Sequence, residues 1–178
     1  MRPERPPREK IERILEAATY APNHHTAEPW RFFVLAGKAR EQLGELRVER
    51  LIEKLGETTS EKAQAAIAKE RGKLLRAPVV IVVASVKPTQ PKVVDIENVE
   101  AVSAAIQNML LAAQEEGLSS MWRTGDAAYD PKMKAFLGID PEEHIVGFVY
   151  LGYPAVPVSP REPSHFETKT RWMDWDEE

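Results

Sequence analysis

Residues 21–30 read Ala-Pro-Asn-His-His-Thr-Ala-Glu-Pro-Trp and run straight into the apolar stretch Arg-Phe-Phe-Val-Leu-Ala-Gly. Two adjacent histidines in a proline-bracketed loop could hold a metal, move protons or line a ligand site. Neighbouring side chains on an extended loop point apart, so His24 and His25 are expected to be poor joint ligands for one ion, which favours alternating or one-turn spacing. His144 and His165 add no ligand-like spacing. The plain alternative is that one histidine bonds backbone while the other is solvated. A second loop, Ser-Met-Trp-Arg-Thr-Gly-Asp at 120–126, presents Trp122, Arg123 and Thr124 before Gly125. There a planar ligand could stack on apolar surface while the guanidinium and backbone N–H groups meet its polar edge. Equally, Trp122 can be core and Arg123 a surface charge.

Other chemistries lack their residues. The 178-residue chain has no cysteine, which removes disulfides, thiolate metal sites and thiol nucleophiles. No GxSxG, Walker A, HExxH or GxGxxG pattern occurs. A formal net charge of −4 argues against a broad nucleic-acid surface, which needs clustered Lys and Arg in excess. The longest apolar run, Ala77 to Val86, is too short to span a bilayer. With no apolar stretch in the opening Met-Arg-Pro-Glu-Arg-Pro-Pro-Arg-Glu-Lys, a soluble cytoplasmic protein without membrane partners is expected.

The elements that position the two loops follow from periodicity. Ile11, Ile14, Leu15 and Ala18 give a helix over Glu9–Tyr20 one inward stripe, ending before Pro22. Trp30–Leu35 reads as a strand closed by Gly37. Lys38–Leu55 is a charged surface helix broken by Gly56, and Thr58 with Glu61 offers a capping box for a second helix reaching about Leu75. Pro78–Ser85 is a strand buried on both faces. Ala101–Gln114 carries no charge over some four turns, so it is expected to be covered on every side, by the core or by a second subunit. Met121–Gly125 is a short strand or loop. Asp130-Pro131 opens a helix ended by Gly138, Asp140-Pro141 starts another turn, and His144–Leu151 is a further core strand. A polar arm with two tryptophans, about 155–178, follows. Without regular βαβ alternation, one domain of α+β sandwich type is expected over 1–178, with a central mixed or antiparallel sheet flanked by helices.

The stretch Glu-Lys-Ile-Glu-Arg-Ile-Leu-Glu-Ala-Ala-Thr-Tyr-Ala-Pro-Asn-His-His-Thr-Ala-Glu-Pro-Trp-Arg-Phe-Phe-Val-Leu-Ala-Gly resembles the opening of the FMN-dependent nitroreductase family. The likeness continues in order through Leu-Leu-Arg-Ala-Pro-Val-Val-Ile-Val-Val, the segment from Val102 to Gly125 and Ile145 to Pro154, covering most of residues 9–154. It is similar to compact bacterial members with a Pro-Asp-His or Pro-Asn-His loop and a Trp-Arg-Ser or Trp-Arg-Thr loop.

The resemblance implies a homodimer with FMN at the subunit interface, NADH or NADPH as reductant, and a nitroaromatic, quinone or similar small-molecule acceptor. It assigns FMN contacts to His24, Thr26, Trp122, Arg123, Thr124 and Gly125, with His25 in the same loop and Glu28 where relatives carry Gln. The flavin carries the chemistry, so no catalytic side chain and no metal are expected. A non-catalytic flavin-binding or storage dimer is the alternative within the fold. A cofactor-free helical interaction protein, built on the charged region 38–75, is the alternative outside it. Relatives grip the FMN phosphate with an Arg-Arg-Ser element ahead of the proline-rich segment with which this chain begins. Either the chain is a shortened member, or Arg2, Arg5, Lys169 or Arg171 take over, and weaker FMN binding is expected.

Overall fold

The computed structural model describes residues 1–157, 162–173 and 175. Among them, α1 (Arg8–Thr19), β1 (Trp30–Ala36), α2 (Lys38–Leu55), α3 (Glu61–Arg71), β2 (Val79–Ser85), α4 (Asp95–Glu115), β3 (Ser119–Arg123), α5 (Pro131–Leu137) and β4 (His144–Gly152) follow in chain order. Short 3-10 turns at His24–Thr26, Leu74–Arg76, Asp126–Tyr129 and Glu167–Lys169 connect or follow them. The four strands form one sheet in the order β1-β2-β4-β3, antiparallel at every pairing. The α+β expectation holds, with an antiparallel rather than mixed sheet.

Strand alternation divides the core in two. Ile81, Val83, Val149 and Leu151 face α1 and α4, where Ile14, Ala18, Val102, Ile106 and Met109 meet them. Val80, Val82, Phe148 and Tyr150 face the other way, onto Leu43 of α2, Leu74 and Met133 of α5. β2 is buried along its whole length, as its valine-rich run requires.

Three local readings change. The N-cap of α3 is Ser60, whose hydroxyl accepts from the Ala63 N–H at 3.1 Å, and not Thr58. Glu57 gathers the Thr59 and Ser60 N–H groups instead. The helix then stops at Arg71, because Gly72 and a 3-10 turn intervene before β2. Helix α4 begins six residues before the uncharged stretch, at Asp95, with Asp95 and Glu97 in its first turn where the helix dipole favours them. In this chain α4 is not covered on every side: Gln107, Leu111 and Gln114 form an exposed stripe at helical spacing, and Leu111 is 59% exposed. At the C-terminus, residues 162–173 and 175 are exposed throughout, while 158–161, 174 and 176–178 of the expected arm lie outside the described residues.

Candidate functional site

The histidine loop is held in a costly backbone conformation. His25, Thr26 and Glu28 have φ of 52°, 50° and 44°, a left-handed region that is uncommon outside glycine and unfavourable for a β-branched residue such as threonine. Asn23 braces the turn: its Oδ1 accepts from the Glu28 N–H at 2.9 Å and its Nδ2 donates to the Ala21 carbonyl at 3.3 Å. Because His25 is left-handed and not extended, the two imidazoles do not point apart. They stack with centroids 4.2 Å apart and planes 22° from parallel.

Both sides of the first turn of α4 are tied to histidines. His24 Nδ1 lies 2.7 Å from Glu97 Oε2, and His144 Nε2 lies 2.7 Å from Asp95 Oδ2. The hydrogen bond with His24 holds the Glu97 carboxyl below its usual range. No cluster of three or more His, Cys, Asp or Glu suited to a metal occurs among the described residues.

The second loop leaves the sheet at the same end, the one marked by the pairings of Trp30 with Ser85 and Ser85 with His144. Register places Trp122 opposite Val149 and Arg123 opposite Phe148, so their side chains fall on opposite faces of the sheet. Trp122, 37% exposed, lies on the α4 face against Gly147 and donates its indole N–H to the Val146 carbonyl at 3.3 Å. Arg123 lies on the α2 face. Neither the Thr124 nor the Gly125 N–H is engaged in a hydrogen bond among the described residues. Gly125, at φ 114° and ψ −171°, occupies a region open essentially to glycine alone.

Arg123, Thr124 and Gly125 border a cavity of about 240 Å³ between α2, the segment before β2 and β4. Arg47, Arg50 and Lys54 reach it from one face of α2, Lys73 from the pre-β2 segment, and Phe148 and Tyr150 from the sheet. Burial raises the Glu70 carboxyl, but hydrogen bonds from Lys73 and Arg47 outweigh it and hold Glu70 below its usual range. Burial pushes the Tyr150 phenol up, against the pull of Arg47 and Arg123, so it keeps its proton as a hydrogen-bond donor. Arg50 Nη1 sits 3.2 Å from the buried Asp130, yet its Nε is buried with no hydrogen-bond partner.

Of the six residues expected at the site, the fold gathers Arg123, Thr124 and Gly125. His24 borders a separate shallow pocket with Glu97, Glu100 and Ala104. Thr26 is exposed and its hydroxyl donates to the His25 carbonyl. The cations considered for a phosphate lie elsewhere: Arg5 in an apolar groove beside β1, and Lys169 against the Ser164 hydroxyl. Arg47, Arg50, Lys54 and Lys73 were missed. The first three are spaced by three and four, a legible helical face, but a charged face reads by default as solvated.

The model of the nitroreductase family matches residues 2–153. The chain belongs to the nitroreductase family. This nitroreductase-family chain is 32% identical over 154 residues to the Escherichia coli (strain K12) protein named "Putative NAD(P)H nitroreductase YdjA", covering 86% of this chain and 81% of that one. It superposes on a nitroreductase-like family protein from Bacillus cereus with a TM-score of 0.78 at 25% identity, covering 98% and 89% of the two chains. A nitroreductase with bound FMN from Bacteroides fragilis shares the fold, with a TM-score of 0.70, 23% identity and coverage of 97% and 91%. No helix among the described residues is long and apolar enough to cross a membrane.

Proposed function

We propose that this nitroreductase-family protein is an FMN-dependent NAD(P)H oxidoreductase that reduces nitroaromatics, quinones or similar acceptors in a two-step hydride cycle. The observation that carries the reading is the juxtaposition of two unengaged loop amides, at Thr124 and Gly125, with a cation-lined cavity, in a chain matched by the family model over residues 2–153. These residues fit FMN: the orphaned Arg50 Nε and the excess of cations suit its charged end, and the loop amides suit the polar edge of its ring. When bound, FMN supplies a two-electron relay between reduced nicotinamide and acceptor.

The chain's own work is placement. The Thr124 and Gly125 N–H groups offer donors and Arg123 sets a cation where negative charge gathers, while Trp122, on the opposite face of the sheet, anchors the strand that carries the loop. His24 and Thr26 lie outside the cavity in one chain, which suits a homodimer in which a second copy's loop completes each site. The exposed stripe on α4 supports that assembly, as do Phe166, Trp172, Met173 and Trp175 of the arm, each 63–72% exposed. The same reading places the protein in the cytoplasm, as one domain.

Anaerobic titration of the FMN-reconstituted protein tests this. NADH or NADPH should bleach the flavin band and an added nitroaromatic or quinone should restore it. A yellow protein that neither nucleotide bleaches is a flavin-binding dimer without turnover, and a protein that takes up no flavin sinks both readings.

A further inference from the structure

His24 is held from two sides in a way that leaves one ring nitrogen for other work. Its Nδ1 lies 2.7 Å from Glu97 Oε2, and its ring face stacks on His25. Glu97 is fixed in turn by the start of α4, where the same oxygen accepts the Val94 N–H at 3.4 Å. The Glu97 carboxyl, kept below its usual range by the hydrogen bond with His24, is ionised near neutrality and can only accept, so the proton between the two belongs to Nδ1. Nε2 is then unengaged among the described residues, on a side chain 51% exposed at the shallow pocket it shares with Glu100 and Ala104. His144, on the other side of the same helical turn, is tied the opposite way, through Nε2 to Asp95. The cavity beside Arg123 has no comparable group. Its titratable lining consists of Arg and Lys side chains, which as types release protons only in alkali, of Glu70 and Asp126 below the usual carboxylate range, and of Tyr150 above that of a phenol.

We propose that His24 is the proton donor to the electron acceptor, a quinone or another compound reduced at oxygen, and that Glu97 is the positioning residue that presents it. This rests on the flavin oxidoreductase reading, in which a second copy's histidine loop completes each site. A hydride from the reduced flavin brings two electrons and one proton to one quinone oxygen. As it arrives, the Nε2–H bond of the His24 imidazolium breaks, its proton bonds to the other oxygen, and the two C=O groups become the C–OH groups of a hydroquinone. The imidazole left behind is neutral, keeps its Nδ1 proton against Glu97 and regains the other from solvent. A carboxylate that holds one ring N–H fixes which nitrogen is free for transfer. The titratable groups facing His24 are Glu97 and Glu100 of α4 and His25 of its own loop, which ends at Glu28.

Two measurements test the pair. In the flavin-free full chain, nitrogen-15 NMR should show neutral His24 with its proton on Nδ1, and Glu97→Ala should mix in the Nε2–H form. Asp95→Ala, which removes a carboxylate that meets His144 instead, should not. A wild-type proton on Nε2, or a His24 signal that Glu97→Ala leaves unchanged, overturns the proposal. In the flavin-loaded protein reduced by NADH or NADPH, stopped-flow reoxidation is compared for a benzoquinone, which takes up a proton, and for ferricyanide, which takes electrons alone. The quinone-to-ferricyanide rate ratio should fall about 100-fold in His24→Gln and about tenfold or more in Glu97→Ala, the scale of general acid catalysis, and keep its wild-type value in Asp95→Ala. In wild type the ratio should also fall as pH rises through the titration of His24, and His24→Gln should flatten that profile. A variant that merely loosens the loop slows both acceptors together and leaves the ratio where it was. An unchanged ratio in either variant overturns the proposal, while bleaching by reduced nicotinamide keeps the oxidoreductase reading. A chain that takes up no flavin, or that neither nucleotide bleaches, removes both.

Discussion

Trp122 occupies the space that a side chain at residue 147 would need. A Cβ built on Gly147 would lie 2.1 Å from the indole Nε1 and 2.5 Å from Cδ1, closer than atoms can approach. The backbone at Gly147 does not have a positive φ, so glycine is required there for room and not for conformation. The empty slot lets the indole lie flat across β4 and reach the Val146 carbonyl.

Gly147→Ala should therefore displace the indole and leave the sheet in place, because the half-exposed Trp122 can yield where β4 cannot. Loss of its hydrogen bond is worth about 1 kcal/mol, which lowers Tm by about 2–4 °C in a protein of this size. Thermal melts and near-ultraviolet circular dichroism check this. An unaltered aromatic signal would show that the two residues do not compete for the slot.

At Gly125 the requirement is reversed. An added Cβ would meet nothing within 4 Å, but φ is 114°. Gly125→Ala should cost about 1–3 kcal/mol through backbone strain alone and turn the loop amides away from the flavin ring that the proposed function sets against them. Flavin titration should then show weaker binding of FMN and riboflavin alike, since the ring and not the phosphate loses its donors.

The histidine loop stores strain in the same way. With Thr26 at φ 50°, Thr26→Gly should be more stable than Thr26→Ala by about 1 kcal/mol, because only glycine adopts that conformation freely. Denaturant melts of the two variants read the difference directly, and equal midpoints would mean the loop relaxes without penalty.

Glu70 makes part of the stability pH-dependent. Its carboxyl is held below the usual range by Lys73 and Arg47 once they have overcome its burial. A depressed carboxylate stabilises the fold above its unfolded pKa, about 4.3 for glutamate, and the contribution disappears as pH falls through the lower folded value. The Tm gap between wild type and Glu70→Gln should thus be full at pH 7 and close only in strong acid. A gap that stays constant from pH 7 down to acid would deny the ion pairs that role.

Leu111 tests the assembly. On a lone chain, Leu111→Arg replaces an exposed side chain and costs almost nothing. Along a subunit interface it would place facing charges in apolar surroundings, at a cost of several kcal/mol. Light scattering should then report a monomer in place of a dimer, with reduced flavin retention. An unchanged mass would remove the α4 stripe from the interface.

Local chemistry was enough to specify the elements. Gly37 and Gly56 bracket α2 at Lys38–Leu55 as the pattern predicts, the valine run becomes the buried β2, and Asp130 with Gly138 bounds α5. Each depends on the preferences of a few neighbouring residues, and the order of the family motifs is likewise written along the chain. Contacts across it are not. Trp122, Arg123 and Thr124 read as one contiguous patch, but strand pairing with β4 turns Trp122 toward α4 and Arg123 toward α2, because alternation only acquires two sides once a sheet exists. Arg47, Arg50 and Lys54 read as a solvated face until packing of α2 on the sheet brings them beside Lys73 and Arg123. Charges separated by many residues concentrate into one cavity only when burial of the apolar face beneath them sets where they meet.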